Sequence, residues 1–171
     1  MPRSTPATPY GQRDLAVASE RIGIVAVAQG QLEEAAHTYA DSLGIVKKLA
    51  ANDPRNTLWQ RDLAVSYNKI GDVAAAQGKL EEAAHAYADS LGIVKKLAAN
   101  DPRNTLWQRD LAVSYWRLAD LAERQNKTGE AKGYWKQAFD VLSGIQKQGL
   151  NLSPQDRQDL ETLRRKSGAV P

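Results

Sequence analysis

Arginine recurs at positions 13, 61 and 109 of this 171-residue chain, 48 residues apart each time. A band of acids, Glu20, Asp72 and Asp120, follows further along each stretch. A guanidinium offers a planar fork of donors that matches a carboxylate in two hydrogen bonds. Arginines and acids in two bands would suit a ligand with one acidic and one basic or apolar feature. The same residues also suit a plainer role, as helix-face charges that pair locally and contribute little. Both readings are open from the residues alone.

Other groups capable of chemistry do not assemble. Glu33-Glu34 and Glu81-Glu82 are paired carboxylates, but acids at a helix start are explained by the helix dipole. His37 and His85 are the two histidines. They lie far from any second ligand, whereas zinc needs three or four, and both are expected on an exposed surface. There is no cysteine, which removes disulfides, thiolate metal sites and cysteine nucleophiles. Neither a glycine-rich phosphate loop nor a Ser/His/Asp grouping occurs. The expectation is a protein that is not an enzyme, with no cofactor and no metal.

Charge narrows the partners. The net charge is +3, from 23 basic and 20 acidic residues, and acids alternate with bases instead of forming a basic stripe with interleaved aromatics. Nucleic acid is therefore not an expected partner. No apolar run approaches the roughly 20 residues that span a bilayer, so a membrane role is not expected either. The start, Met1-Pro-Arg-Ser-Thr-Pro-Ala-Thr-Pro, is polar and proline-rich, unlike a secretory signal. A cytoplasmic location follows as the default expectation.

What must position these residues is a repeat. Segments 28–67 and 76–115 differ at only two positions, Gln31 against Lys79 and Thr38 against Ala86. A period of this size marks stacked units that bury their apolar faces against their neighbours. Each unit reads as two helices. Asn56 or Thr57 can cap a start after Asp53-Pro54-Arg55, and Trp59, Leu63, Tyr67, Ile70 and Ala74 then form one apolar stripe. Gly78 suits the left-handed end of that helix. Leu80, Ala83, Ala84, Tyr87, Leu91, Val94 and Leu97 make the next stripe. Helices are expected at 12–29, 31–51, 57–77, 80–99, 105–125 and 129–147. A last one at 154–166 opens on Ser153-Pro154. Residues 1–10 and the tail from Ser167 are expected to be disordered. No strand pattern appears.

The unit resembles the tetratricopeptide repeat. In the middle copy the family's positions are Tyr67, Ile70-Gly71, Ala74, Gly78, Ala83, Tyr87 and Ser90. In the first they are Ser19, Ile22-Gly23, Ala26, Gly30, Ala35, Tyr39 and Ser42. In the last they are Tyr115, Leu118-Ala119, Ala122, Asn126, Ala131, Trp135 and Ala138. The usual unit is about 34 residues. Here both helices are longer by about seven residues, roughly two turns, so this is a long-helix variant. The resemblance implies an all-α, right-handed alpha-alpha superhelix (an α-solenoid) of three antiparallel helix pairs plus a C-terminal capping helix. Its repeats would run at about 11–55, 56–103 and 104–148, with the capping helix and tail at 149–171.

In that family the first helices line a concave groove that holds a peptide or a partner's helix. Carried onto this chain, the groove residues are Arg13, Val17, Glu20 and Ile24, then Arg61, Val65, Asn68 and Asp72, then Arg109, Val113, Trp116 and Asp120. The family's carboxylate clamp, a Lys and an Asn one turn apart, is replaced by Glu20/Ile24, Asn68/Asp72 and Trp116/Asp120. Capture of a C-terminal carboxylate is accordingly not expected. Trp116 stands where the middle copy has Asn68; it would anchor a ligand, or pack beneath the C-terminal helix. Trp59 and Trp107 belong to the buried stripe. The leading function is a protein-protein interaction module for a partner peptide or helix. The rival is a self-associating scaffold, possible as a homo-oligomer, because Leu15, Ile22, Ile24, Val25 and Val27 of the first helix have no capping helix before them.

Overall fold

A computed structural model describes residues 8–168. The described residues form seven α-helices and no strand: α1 Pro9–Ala28, α2 Leu32–Asn52, α3 Thr57–Ala76, α4 Leu80–Asn100, α5 Thr105–Arg124, α6 Thr128–Lys147 and α7 Pro154–Ser167. The chain divides into two compact units, Met1–Lys79 and Leu80–Pro171. The division falls inside the second sequence repeat.

Local chemistry accounts for the helix ends. The Asn56 and Asn104 side chains accept from the amides of Trp59 and Trp107, at 3.2 and 3.3 Å. Each satisfies one of the orphan donors of its first turn. Gly30 and Gly78 close α1 and α3 with φ of 75° and 77°, a conformation that carries no Cβ penalty only for glycine. Asn126 takes the same place after α5 with φ 59°.

Two expectations at the termini are corrected. The first helix begins at Pro9, not at residue 12, because Thr8 caps it: its hydroxyl accepts from the Gly11 amide at 3.1 Å. Residues 8–10 are thus ordered, and residues 1–7 lie outside the described residues. At the other end Ser167 is buried within α7, and its hydroxyl donates to the Arg164 carbonyl at 3.2 Å. The rest of that expected tail, apart from Gly168, lies outside the described residues.

In the first unit small residues let α1 approach α2 and α3. Ala16, Gly23 and Ala26 are its buried positions. Ala26, Ala35, Tyr39 and Val73 form one apolar cluster with Leu32, Ala36 and Ile70 packed against it. Leu49, Ala50 and Trp59 form another, with Ile45 and Leu63. Trp59 is therefore core, as its stripe predicts, and Tyr10 meets its ring edge-on at 6.4 Å.

In the second unit the apolar residues of α5 and α6, among them Tyr115, Leu118, Ala119, Trp135, Ala138, Leu142 and Ile145, are buried. From α7 come Leu160 and Leu163, also buried. Helix α7 starts with a reciprocal capping box. Ser153 Oγ accepts from the Asp156 amide at 3.1 Å, and Asp156 accepts from the Ser153 amide at 2.8 Å.

Candidate functional site

Two of the ladder arginines are committed within the chain. Arg13 Nε donates to Asp62 Oδ2 at 2.5 Å, joining α1 to α3, and Nη2 lies 3.3 Å from Oδ1. The Asp62 hydrogen bond is the main reason the Arg13 guanidinium is held protonated beyond its ordinary range. Arg109 Nε donates to Asp156 Oδ1 at 2.8 Å, and its Nη2 donates to Ser153 Oγ at 3.0 Å, joining α5 to α7. Arg61 is half-buried on α3.

The acids also find work inside the fold. Glu20 accepts from Ser66 Oγ at 2.7 Å and from Ser42 Oγ at 3.3 Å, so one carboxylate bridges α2 and α3. Asp120 pairs with Arg124 four residues on, at 2.9 Å on an exposed face. Val17, Val65 and Asn68 are half-buried, and Asn68 Oδ1 is buried without a hydrogen-bond partner.

The remaining candidates gather in two clefts, one in each unit. In the first unit Ile24 and Asp72 line a cavity of about 160 Å³ with Val27, Leu32, Tyr39 and Lys69. Burial, assisted by the charges of Asp72 and Glu20, pushes the Tyr39 hydroxyl above its ordinary pKa. In the second unit Arg109, Val113 and Trp116 line a cavity of about 290 Å³ between α5 and α7. Leu106 and Leu163 add apolar wall, and Asp110, Asp156 and Asp159 add carboxylates.

Trp116 lines this cleft beneath α7, and its ring meets Trp135 edge-on at 5.1 Å. The position of α7 fixes the cleft's far wall. At its C-terminal end Lys166 Nζ donates to Glu123 at 2.8 Å and lies 5.2 Å above the Trp135 ring, while Trp135 Nε1 donates to the same carboxylate at 2.8 Å. Lys166 first, then Trp135, hold the Glu123 carboxyl below its ordinary pKa against the opposing effect of burial. At the N-terminal end burial alone would raise Asp156. The hydroxyl and amide of Ser153, with Arg109, outweigh it and keep the carboxyl ionised below the usual range.

Asp156, Asp159 and Leu163 could not be found by repeat spacing, because α7 stands outside the 48-residue pattern. The only sequence signal was the Ser153-Pro154 start. Tyr39 was legible as a repeat position but not as cleft lining, and Lys69 carried no signal in the sequence. His37 and His85 are exposed. Among the described residues no group of three or more His, Cys, Asp or Glu is placed to hold a metal ion. No helix there is long and apolar enough to cross a membrane.

No family model matches the chain, and no curated protein matches it. Among solved structures it is similar to BtubC (BKLC) from P. vanneervenii, with a TM-score of 0.64 and 17% identity over 94% of this chain. The chain spans 58% of that protein's length. The Sgt2 TPR domain from Aspergillus fumigatus aligns at 20% identity over 97% of this chain and 84% of its own, with a TM-score of 0.41. A de novo designed helical repeat protein aligns at 15% identity over 94% and 79%, also with a TM-score of 0.41. The likeness to BtubC is one of fold. With seven helices and no strand among the described residues, the chain is an all-α helical-repeat protein, the class its sequence calls for.

Proposed function

We propose that this chain is a non-enzymatic protein-interaction module, a tetratricopeptide-type repeat with lengthened helices, acting in the cytoplasm and not on nucleic acid or membranes. Its binding site is the cleft between α5 and α7. The occupant is a peptide segment with one large apolar side chain beside a basic one. The observation that carries this reading is the cleft's lining: Leu106, Val113, Trp116 and Leu163 form the apolar wall, and beside the Arg109–Asp156 pair stands Asp159, whose hydrogen-bond donor is the neutral Gln155 amide. The Asp159 carboxylate favours a cation on the ligand, and a half-buried tryptophan is the residue type that most often anchors an interface.

The test is selection of random peptides on the immobilised full chain, with the Trp116→Ala chain as counter-selection. Enriched peptides should combine Lys or Arg with a large apolar residue and lose at least tenfold in affinity on the variant. Enrichment that ignores the substitution places binding elsewhere.

A second reading has its own observation. Leu15, Ile22, Ile24, Val25 and Val27 of α1 are all exposed, an apolar surface of the kind that marks association sites. Self-association through α1 would make the chain a scaffold. Light scattering behind a sizing column should then show Ile22→Glu or Val25→Glu shifting an oligomer to monomer. An oligomer that survives both changes removes this reading.

A further inference from the structure

Each first helix of the sequence repeat carries an aspartate directly after its ladder arginine: Asp14, Asp62 and Asp110. In the first unit Asp62 shows what this residue is for. It takes the guanidinium of Arg13 from the helix one repeat earlier. On the same helix Leu63 packs against Leu49 and Ala50 of α2, and Ile70 and Val73 pack with Ala35 and Tyr39. A first helix therefore docks on the preceding repeat with one carboxylate and an apolar row.

Helix α7 repeats the device on the last pair. Asp156 takes Arg109, and Leu160 and Leu163 supply the apolar row. The surface beneath has the same make-up as α2, because Ala131, Trp135, Leu142 and Ile145 of α6 stand where α2 has Ala35, Tyr39, Val46 and Leu49. Helix α1 carries the complete docking set, and all of it is open. Asp14 is exposed; Leu15, Ile22 and Val25, the counterparts of Leu63, Ile70 and Val73, are 59%, 56% and 55% exposed.

We propose that α1 is a docking helix for a second copy of this chain, which it engages at α5 and α6 in the place held by α7. Asp14 of one copy receives Arg109 of the other, and Leu15, Ile22 and Val25 cover the surface that Leu160 and Leu163 cover in the single chain. Helix α7 is then a built-in competitor: while it is docked the chain does not add a copy there, and when it leaves, growth is head to tail. The proposal rests on the self-association reading and adds to it the partner surface, the register and the element that restrains it. Because α7 is also one wall of the peptide cleft, peptide binding and chain addition exclude each other.

The experiment is a charge exchange in the full chain, read by sedimentation velocity with helix content checked by circular dichroism. Arg109→Asp combined with Lys166→Glu sets like charges against Asp156 and Glu123 at the two ends of α7 and releases it, yet presents an acid to Asp14 of any second copy. Asp14→Arg reverses the other side. Each variant alone should show no head-to-tail species, and an equimolar mixture should give a one-to-one complex of doubled mass. Adding Ile22→Asp to the Asp14→Arg chain should abolish that complex. A mixture of folded variants that stays monomeric overturns the proposal, as does a complex indifferent to Ile22→Asp. If the wild-type chain associates through α1 while the mixture does not, self-association stands and the α7 exchange falls.

Discussion

Arg109 grips Asp156 through its Nε at 2.8 Å, using the atom through which Arg13 grips Asp62 in the other unit. The recurrence explains the arginine ladder from the inside: each of these two guanidiniums is spent on the element that follows its own repeat. It also explains why a helix unrelated to the repeat in sequence can close the array. One acid at the right place and two buried leucines reproduce the docking of a first helix, and Lys166 on Glu123 fastens the other end.

Removing that grip should loosen α7. Arg109→Ala leaves a buried carboxylate with only Ser153 for company, and an uncompensated buried group costs about 1–3 kcal/mol. Urea unfolding of the full chain should show the unfolding free energy falling by that amount, with the midpoint moving to lower urea. An unchanged midpoint would mean that the clasp contributes nothing.

Acid should do the same reversibly. The carboxyls of Asp156 and Glu123 are both held below their ordinary values of 3.8 and 4.5 in the folded chain. A depressed folded pKa means stability that is present above the unfolded value and lost as pH falls through the folded one. The docking of α7 should therefore be pH-independent above about 5 and weaken below about 4. Tryptophan fluorescence should report it, since Trp116 and Trp135 lie beside α7's contacts. A transition centred near neutrality would contradict the assignment.

Gly23 should tolerate no methyl group. A Cβ there would lie 2.7 and 2.9 Å from Cδ1 and Cζ of Tyr39, whose ring is buried among Ala26, Ala35 and Val73. Gly23→Ala should cost about 1–3 kcal/mol despite alanine's better helix propensity. A gain in thermal stability would show that the ring has room to move.

How much of this was legible in the sequence follows from what each residue's partner is. Helix positions and the burial of Trp59 were legible because they depend on periodicity and local capping. The start at Pro9 was missed, although Thr8-Pro9 is the same signal as Ser153-Pro154. The use of Arg13, Glu20 and Arg109 was not legible: their partners Asp62, Ser66 and Asp156 lie more than 40 residues away. Spacing puts a charge on a face but does not say which side chain answers it. The cleft around Trp116 depends on where α7 lies, and α7 has no earlier copy in the chain from which to read its register.

Trp116→Ala separates anchoring from packing. The edge-on contact with Trp135 is worth about 0.5–1.5 kcal/mol beyond the area it buries, so a modest fall in thermal stability is expected. Loss of peptide affinity should reach tenfold, about 1.4 kcal/mol. A large loss of stability with unchanged affinity would make the residue core alone.

The most direct test of the interaction-module account is to map an enriched peptide on the isotope-labelled full chain by amide chemical-shift perturbation. The account predicts saturable shifts at Val113, Trp116, Asp159 and Leu163, with the amides of Ile22 and Val25 unmoved. Shifts confined to α1, or no saturable shifts at all, would contradict it.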